Sequence, residues 1–523
     1  MILDLNLSNT TNTTVAADVC IIGAGTAGIF LAQRLCKHNI KNIVLLEYGD
    51  NISRKPVEMN QFCKNKGVRY HGADSGRSFG LGGTSVLWGG QMIPLAKTDM
   101  NIRNYAGFSE WPISYSEIKK YTSSVESQFG LTSEVSPDID FSSLASLQGR
   151  FKLRTSQWLP FKLRNFSKAF FKELKHNNGL TVWTNAMVTK MDYFPESEGG
   201  KINQIYAKSP NGNRLLVKPK IVVVCAGALE STRLLLEFDE LTNVITRQKS
   251  PLGKYFSDHL SVECGYFTCI NKKLFNLAVA PVFRKSIMCS PRLEVAGNEQ
   301  KKEQISSAFV HFNFITTGDT GLDLIRTILR KRQGERKIKG ISFFKIGSMM
   351  KDIFLIFYWR FFYKRLWIPK DADLKLYVDI EQLPNIDSTL CLGNELDSHN
   401  RKLLVINWKI DKRDMLVLKK VANIFFTEWN RSSLKSIATF HLDMPLFSDL
   451  NKTHYGVYHP TGSIRMGKTP TDSVVNNNLR LWGVSNCYIS STAVFPSAGS
   501  ANPGLTHLAL TDRLADHIGE LLK

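Results

Sequence analysis

The chain lacks paired cysteines: its nine cysteines, an odd number, are scattered without a C-x-x-C spacing. That argues against a disulfide framework and against zinc, and it leaves reduced thiols, with Cys20 and Cys225 inside apolar strand-like runs. No other metal-ligand spacing is present. No run of 18 apolar residues is free of charge, so no stretch reads as a bilayer-spanning helix. The first seventeen residues, MILDLNLSNTTNTTVAA, lack the basic start and apolar core of a secretory leader. They read as a polar lead-in, and the protein as cytoplasmic. Acid is also in short supply, with 46 Asp and Glu against 67 Lys and Arg and a formal charge of +21. This suits an anionic neighbour, yet no nucleic-acid recognition motif accompanies it, so nucleic acid is not the expected partner and most of the charge reads as solvated surface.

At 523 residues the chain is too long for one core and predicts two or three lobes. Asp18 to Gly28, DVCIIGAGTAG, is the stretch around which the rest is organised. Val19 to Ile22 form an unbroken apolar run, as in a strand buried on both faces, and it stops at a glycine cluster where a helix should begin. Gly23 permits the tight turn, Gly25 lets the backbone approach a pyrophosphate, and Gly28 allows close packing of helix on strand. Ile29 to Leu35 reads as the crossover helix and Asn42 to Leu46 as the next strand; Glu47, 19 residues after Gly28, sits where an acid accepts hydrogen bonds from a ribose diol. Together these predict a dinucleotide cradle.

Ser78 to Gly90, SFGLGGTSVLWGG, holds five glycines and cannot stand as an isolated helix. It reads as a loop wrapped on a ligand, a flavin ring being the natural candidate. In Glu110 to Tyr121, Ser114 and Glu117 form a capping-box pattern that opens a helix. Leu180 to Met191 reads as one strand whose backbone meets an adenine edge. Ile221 to Leu236 repeats strand, turn and helix through Cys225, Ala226, Gly227 and Ala228. From 260 to 445 the pattern changes to alternating strands, such as Leu374 to Glu381 and Lys402 to Ile410. Inside that region, Leu322 to Lys370 carries 13 Lys or Arg against three acids, interleaved with aromatics from Phe343 and Phe344 to Trp367. The pattern reads either as a helical excursion packing its aromatics on the body or as a membrane-surface helix. In both cases it is expected to be separable from the chemistry.

Taken together, GAGTAG at 23, GLGGTSVLWGG at 80, CAGALESTRLLL at 225, GKYFSDH at 253, YHPTGSIRMG at 458 and ANPGLTHLAL at 501 resemble, in order, the blocks of the glucose–methanol–choline (GMC) flavoprotein oxidoreductases. The motif style is nearest the sugar-oxidising branch, which includes pyranose oxidase and the gluconate and fructose dehydrogenase flavoprotein subunits. The resemblance implies an α/β fold: a Rossmann-like FAD-binding domain with a parallel sheet (15–259 and 446–523) and an α+β substrate domain with a largely antiparallel sheet (260–445). It implies FAD held by Gly23, Gly25, Gly28 and Glu47, by Gly82, Gly83, Thr84 and Ser85, by the backbone at Met187 and Val188, by Ala226 and Gly227, and by Ser491, Thr492, Ala493 and Pro503. It implies a catalytic pair, His459 and Asn502. Where several relatives have a histidine that carries the flavin covalently, this chain has Leu87, so the FAD is expected to be non-covalent.

The implied reaction is oxidation of a CH–OH group in a small alcohol or sugar, with hydride leaving for flavin N5. A neutral imidazole suits the task of taking the hydroxyl proton, which falls to His459, while Asn502 fixes the same oxygen. The electron acceptor stays open, with a dehydrogenase slightly favoured over an oxidase. His71, His259 and His507 lack motif support and read as surface or satisfied core residues. Two rival readings are a non-redox lyase or decarboxylase of the same fold and a catalytically silent membrane or scaffold module.

Overall fold

Val19, Cys20 and Ile21 have no exposed surface and Ile22 only 5%. They end the strand Asn12–Ile22, the middle of an eight-stranded sheet in a computed structural model that describes residues 1–7, 12–52, 62–132, 140–196, 199–316, 318–334, 346–444 and 456–523. The strand order is Ile2–Asp4, Leu180–Thr184, Ile43–Leu46, Asn12–Ile22, Arg214–Val224, Lys201–Lys208 and Met187–Phe194, with Cys487–Ile489 also on Arg214–Val224. The first five pair in parallel, as does Cys487–Ile489; the last two add an antiparallel ribbon. Every connection within the parallel body is a crossover, so its strands are covered on both faces and read as continuous apolar runs.

One expectation is corrected here, and one segment gains a strand that the sequence did not suggest. Leu180 to Met191 is two strands, Leu180–Thr184 in the parallel body and Met187–Phe194 at the opposite edge. Between them Asn185 turns the chain at a φ of 53°, the left-handed region that asparagine tolerates better than other side chains. The polar lead-in is also structured: Ile2–Asp4 pairs with Val182, Trp183 and Thr184, and Leu5 is fully buried. A three-residue strand is too short to show a period, and its partner lies some 180 positions away.

The second large sheet is antiparallel, in the order Ala438–Leu442, His259–Cys269, Asp373–Glu381, Ala308–Ile315, Ile287–Val295, Phe151–Trp158 and Gln91–Met92, with Val282–Arg284 also on Ile287–Val295. Its last two strands come from before residue 260, so the sheet is not confined to the stretch where alternating strands were expected. One face is apolar and packs on the helix Lys412–Arg431, where Phe267, Phe425, Trp429 and Phe440 meet at ring separations of 4.9–6.4 Å. The other face is polar and, through His259, turns toward the block that carries His459.

The basic aromatic stretch 322–370 is two helices, Gly321–Gln333 and Ile346–Phe362; residues 335–345, including Phe343 and Phe344, lie outside the described residues, as does the expected lobe boundary at 445–446. Thr320 and Asp323 form a capping box that starts the first helix. Leu322, Ile356, Trp359, Leu366 and Trp367 form a separate small apolar cluster on the inner side. On the outer side Met350, Phe354, Phe357, Phe361 and Phe362 are 51–74% exposed. No helix among the described residues is long and apolar enough to cross a membrane.

Candidate active site

The glycines of the first turn differ in what surrounds them. A side chain at Gly28 would begin 1.9 Å from the Gly23 carbonyl oxygen, and Gly23, at φ 103°, faces the Cys225 carbonyl oxygen at 2.7 Å. Gly25 has nothing within 4 Å of a Cβ position. Gly23 and Gly28 are therefore glycine because strand and helix touch there, while Gly25 borders free space. The helix Thr26–Lys37 starts at Gly25 with no side-chain cap, which leaves its first-turn N–H groups for an anion. The neighbouring strand repeats this: after Ala226, Gly227 at φ 72° opens the uncapped helix Gly227–Thr242 onto space with nothing within 4 Å of its Cβ position. Two bare helix N-termini beside each other at the carboxyl ends of adjacent parallel strands form the crevice in which dinucleotides bind.

Glu47 is 5% exposed, and its carboxylate accepts N–H bonds from Ala24 (2.8 Å), Gly49 (2.9 Å) and Gly80 (2.9 Å). It ties the glycine turn, its own strand end and the Ser78–Gly90 loop together, a role that sequence did not reveal. A carboxylate offers about four acceptor sites, so about one is left for a ribose hydroxyl. Met187 and Val188 are buried on the edge strand, whose outer side has no strand partner among the described residues. The Ser491 hydroxyl accepts from Ala493 N (3.2 Å), and the Thr492 hydroxyl donates to the Pro460 carbonyl (2.7 Å), lashing that turn to the block that carries His459. Pro503 stands immediately before the helix Gly504–Leu521.

Gly82 and Gly83, at φ 96° and 48°, lay the glycine loop on the cradle; a side chain at Gly83 would begin 2.8 Å from Gly25 Cα. The Ser85 hydroxyl donates to the Gly82 carbonyl (2.5 Å) and accepts from Phe166 N (3.0 Å), whereas Thr84 is exposed. Gln333, at the end of the insert's first helix, donates its amide to the carbonyls of Ser85 (3.1 Å) and Trp88 (3.0 Å). The insert is therefore bolted to the loop that was expected to wrap the flavin, and the expectation that it is separable from the chemistry is corrected. The open Gly25 position, the two uncapped helix starts and the remaining Glu47 acceptor fit FAD. Among the described residues no three His, Cys, Asp or Glu side chains converge as metal ligands.

His459 and Asn502 meet: Asn502 Nδ2 lies 3.5 Å from His459 Nε2. On its other side, His459 Nδ1 is 3.0 Å from His259 Nδ1, and His259 Nε2 is 2.7 Å from the Gly499 carbonyl oxygen. The carbonyl can only accept, so His259 carries its proton on Nε2. Its Nδ1 is then a lone pair, which requires the proton of His459 on Nδ1, and His459 Nε2 is left as a free base facing Asn502. His259, expected to be a satisfied core residue, is buried and fully bonded, and it also sets the tautomer of the catalytic candidate. The one signal for it was its place at the end of the GKYFSDH block.

Asp258 holds the backbone of both histidines: Oδ1 accepts from His259 N and His459 N, each at 2.7 Å, and Oδ2 from Tyr458 N at 3.0 Å. Tyr458 sits at φ 67°, a strained conformation for a bulky residue, which these bonds sustain. Burial raises the Asp258 carboxyl to about 7 against the lowering effect of the three N–H groups. Burial and the neighbouring His259 push His459 down to about 3, so its imidazole is neutral throughout the physiological range. His259 is lowered by burial as well. Ser463 is fully buried and shares a 2.8 Å hydroxyl contact with Thr232 of the helix Gly227–Thr242.

Residues 384–511 match the family model described as GMC oxidoreductase. The fructose dehydrogenase large subunit of Gluconobacter japonicus is 21% identical over 98% of this chain and 99% of its own length. Choline oxidase of Arthrobacter globiformis is 33% identical over a shorter stretch, 17% of each chain. Among solved structures, pyridoxine 4-oxidase from Mesorbium loti superposes with a TM-score of 0.59 at 16% identity, covering 96% of this chain and 99% of that one. A formate oxidase superposes at 0.57 and 16% over 97% and 99%. Fold over the whole length and sequence in the block that carries His459 and Asn502 agree: the chain is similar to the GMC oxidoreductases, through the match of residues 384–511 to their family model and through its fold.

Proposed function

We propose that the chain oxidises a CH–OH group of a small alcohol or sugar to the carbonyl, with His459 as base and Asn502 holding the same hydroxyl. The observation that carries this reading is the relay from the Gly499 carbonyl through His259 to His459, which leaves a neutral Nε2 lone pair 3.5 Å from the Asn502 amide. When bound, FAD supplies the acceptor for the hydride that leaves the carbinol carbon. His459 Nε2 takes the hydroxyl proton, and a positioned base of this kind contributes roughly 10²- to 10⁴-fold. The Asn502 amide donates to the hydroxyl oxygen and fixes which C–H bond faces the acceptor. The lyase and silent-module readings find no support among the relatives, which are named as oxidases and dehydrogenases. Anaerobic mixing of the holoenzyme with a panel of alcohols and sugars tests the proposal: at least one is expected to bleach the flavin absorbance, and bleaching by none sinks it.

In this reading residues 15–259 and 446–523 form the cofactor lobe and 260–445 the substrate lobe, with Gln91–Met92 and Phe151–Trp158 lent to the second lobe's sheet. The cofactor-binding residues are Gly23, Gly25, Gly28, Glu47, Gly82, Gly83, Thr84, Ser85, Met187, Val188, Ala226, Gly227, Ser491, Thr492, Ala493 and Pro503. Leu87 has no nucleophilic atom, so the FAD is held without a covalent bond. Acid precipitation should release all of the yellow colour into the supernatant, and colour kept in the washed pellet would refute this.

The enzyme works as a dehydrogenase that docks on an anionic membrane surface. Support for the first half is the full-length relative, a dehydrogenase subunit. Support for the second is the face of Met350, Phe354, Phe357, Phe361 and Phe362, exposed on a chain of charge +21 and bordered by the exposed Lys351. Replacing Phe354 and Phe361 by serine should cut co-sedimentation with phosphatidylglycerol vesicles about tenfold or more while the flavin spectrum is kept. Unchanged sedimentation would exclude this face as the contact.

A further inference from the structure

Met350, Phe354, Phe357 and Phe361 fall at i, i+4, i+7 and i+11 of the helix Ile346–Phe362, so its exposed apolar side chains share one side, with Phe362 beside them at the helix end. That side runs on past the helix. Phe362, 74% exposed, lines an open cleft of about 740 Å³ whose other walls come from the helix Lys272–Val279, from the turn Ser433–Ser436 and from Asp140 and Ser143. Leu274, from the first of these walls, is itself 47% exposed. The volume lies within the range of about 300–1,000 Å³ usual for small-molecule sites.

The walls combine two chemistries. Leu274, Leu277, Leu434 and Ile437 are apolar, while Ser143, Ser433 and Ser436 bring hydroxyls. The lining holds one acid, Asp140, against two cations, Lys364 and Arg365. The Asp140 carboxylate already accepts from Ser142 N at 2.8 Å. Arg365 is buried, donates to the carbonyls of Ala280 (3.1 Å) and Asp140 and lies over the Phe141 ring at 5.4 Å, so its charge is fixed in the wall. Lys364 is exposed and makes no hydrogen bond or ion pair among the described residues. Two more exposed lysines border the cleft: Lys273, whose Nζ lies over the Tyr363 ring at 5.5 Å, and Lys435, between Leu434 and Ser436.

Lys364 also turns the chain out of the helix at a φ of 54°, with its carbonyl held by Phe283 N at 2.6 Å. Glycine or asparagine is the usual residue in that left-handed position, and lysine is strained there. The turn alone does not call for a lysine; an ammonium at the cleft does.

A positively charged lining, hydroxyls and apolar walls that continue an exposed aromatic face together match a molecule with an anionic head and an apolar tail. Free phosphate would leave the apolar walls bare, a hydrocarbon chain alone would leave Lys364 unanswered, and a zwitterionic lipid would bring its own ammonium against the lysines. We propose that this cleft binds one anionic glycerophospholipid, its phosphate toward Lys364, its glycerol toward the serine hydroxyls and its chains along Leu274 and Phe362. This rests on the membrane-docking reading above and deepens it: the aromatic face enters the lipid surface, and the cleft holds a single lipid of that surface.

The probe is dihexanoyl-phosphatidylglycerol below its micelle concentration, titrated calorimetrically into the holoenzyme, with dihexanoyl-phosphatidylcholine and inorganic phosphate as controls. Saturable binding of one lipid per chain is expected, about tenfold or more tighter than either control. Lys364→Glu should weaken it about tenfold or more, because each basic residue contributes separately to attraction of an anionic lipid. Ser433→Trp, which fills the cleft from an exposed position, should block it. Lys364→Gly relieves the strained turn, so it should melt no lower than the parent and still bind more weakly, which a purely structural role for Lys364 does not predict. Phe354→Ser with Phe361→Ser should keep the monomeric lipid while losing vesicle sedimentation. Absence of saturable lipid binding in a parent that still sediments with phosphatidylglycerol vesicles overturns the cleft site and leaves membrane docking standing. Phosphatidylcholine or inorganic phosphate binding as tightly as phosphatidylglycerol overturns it too, as does undiminished binding in folded Lys364→Glu and Ser433→Trp. Saturable lipid binding in a parent that does not sediment supports the cleft site and counts against the membrane contact instead.

Discussion

His459→Ala is expected to retain its FAD and to lose about 10²-fold or more in the anaerobic rate of flavin reduction. Retention follows from position: the cradle at Gly23–Gly28, the Glu47 clamp and the Gly82–Ser85 loop all lie on other segments. Asn502→Ala should cost less, about 1–3 kcal/mol for one hydrogen bond at the reacting centre. The pH dependence follows from His459 being held near 3: its base form is present across pH 5–8, so the limiting rate should show no step there from this residue. That differs from an ordinary histidine base, whose rate rises through neutrality. Any step near pH 7 belongs to Asp258, which titrates at about 7 against both histidine backbones, and it should vanish in Asp258→Asn. Stability has a definite sign as well. An unfolded histidine takes a proton at 6.5 and the native His459 near 3, so between these values the unfolded chain holds the extra proton. The contribution is whole above 6.5 and is lost as pH falls toward 3. Stopped-flow reduction of parent and variants across pH decides the matter; a parental rate in His459→Ala would assign the base elsewhere.

What was legible in the sequence is what local chemistry encodes. The run Val19–Ile22 with glycines at fixed spacing specifies a buried strand and a glycine turn that opens a helix within eleven residues, and half of the Ser114–Glu117 box appears: the Ser114 hydroxyl accepts from Glu117 N at 3.2 Å, while the Glu117 carboxylate turns to Arg513 at 2.6 Å instead of closing it. His459 and Asn502 were legible because both sit in family blocks, and they do meet. His259 was not, because its role consists of two bonds spanning 200 and 240 positions, and a lone histidine has no pattern of its own. Glu47 shows the same division: its place after the second strand is local, whereas its bond to Gly80 depends on how a later loop folds back. The insert was legible as basic and aromatic, but the Gln333 amide that reaches Ser85 across 248 positions has no signature, so a segment that grips the Ser78–Gly90 glycine loop read as detachable.

Arg103→Met should be the most destabilising single change near the site. Arg103 is 3% exposed, grips the Glu381 carboxylate at 2.6 and 3.2 Å and lies 4.0 Å over the Phe108 ring. Glu381 in turn accepts Gly499 N at 2.8 Å, and Gly499 presents its carbonyl to His259. A side chain cannot be added at Gly499, where a Cβ would begin 2.4 Å from Asp99 Oδ2, so this residue is pinned from both sides. Removing the guanidinium leaves Glu381 and the nearby Asp99 as uncompensated buried acids, a loss of about 3–5 kcal/mol. Arg103→Lys should not rescue it fully, because an ammonium cannot match both carboxylate oxygens in one plane. The loss reaches the chemistry because the Gly499 carbonyl fixes the proton on His259, and through it the free lone pair of His459. The variant should therefore unfold at a lower temperature and, where still folded, reduce its flavin more slowly. The double variant Arg103→Met/Glu381→Leu, in which no charge of the pair remains buried, should be more stable than Arg103→Met alone. Thermal unfolding followed by flavin fluorescence measures each, and if the double loss equals the sum of the two single losses, Arg103 and Glu381 are not coupled and the support for His259 lies elsewhere.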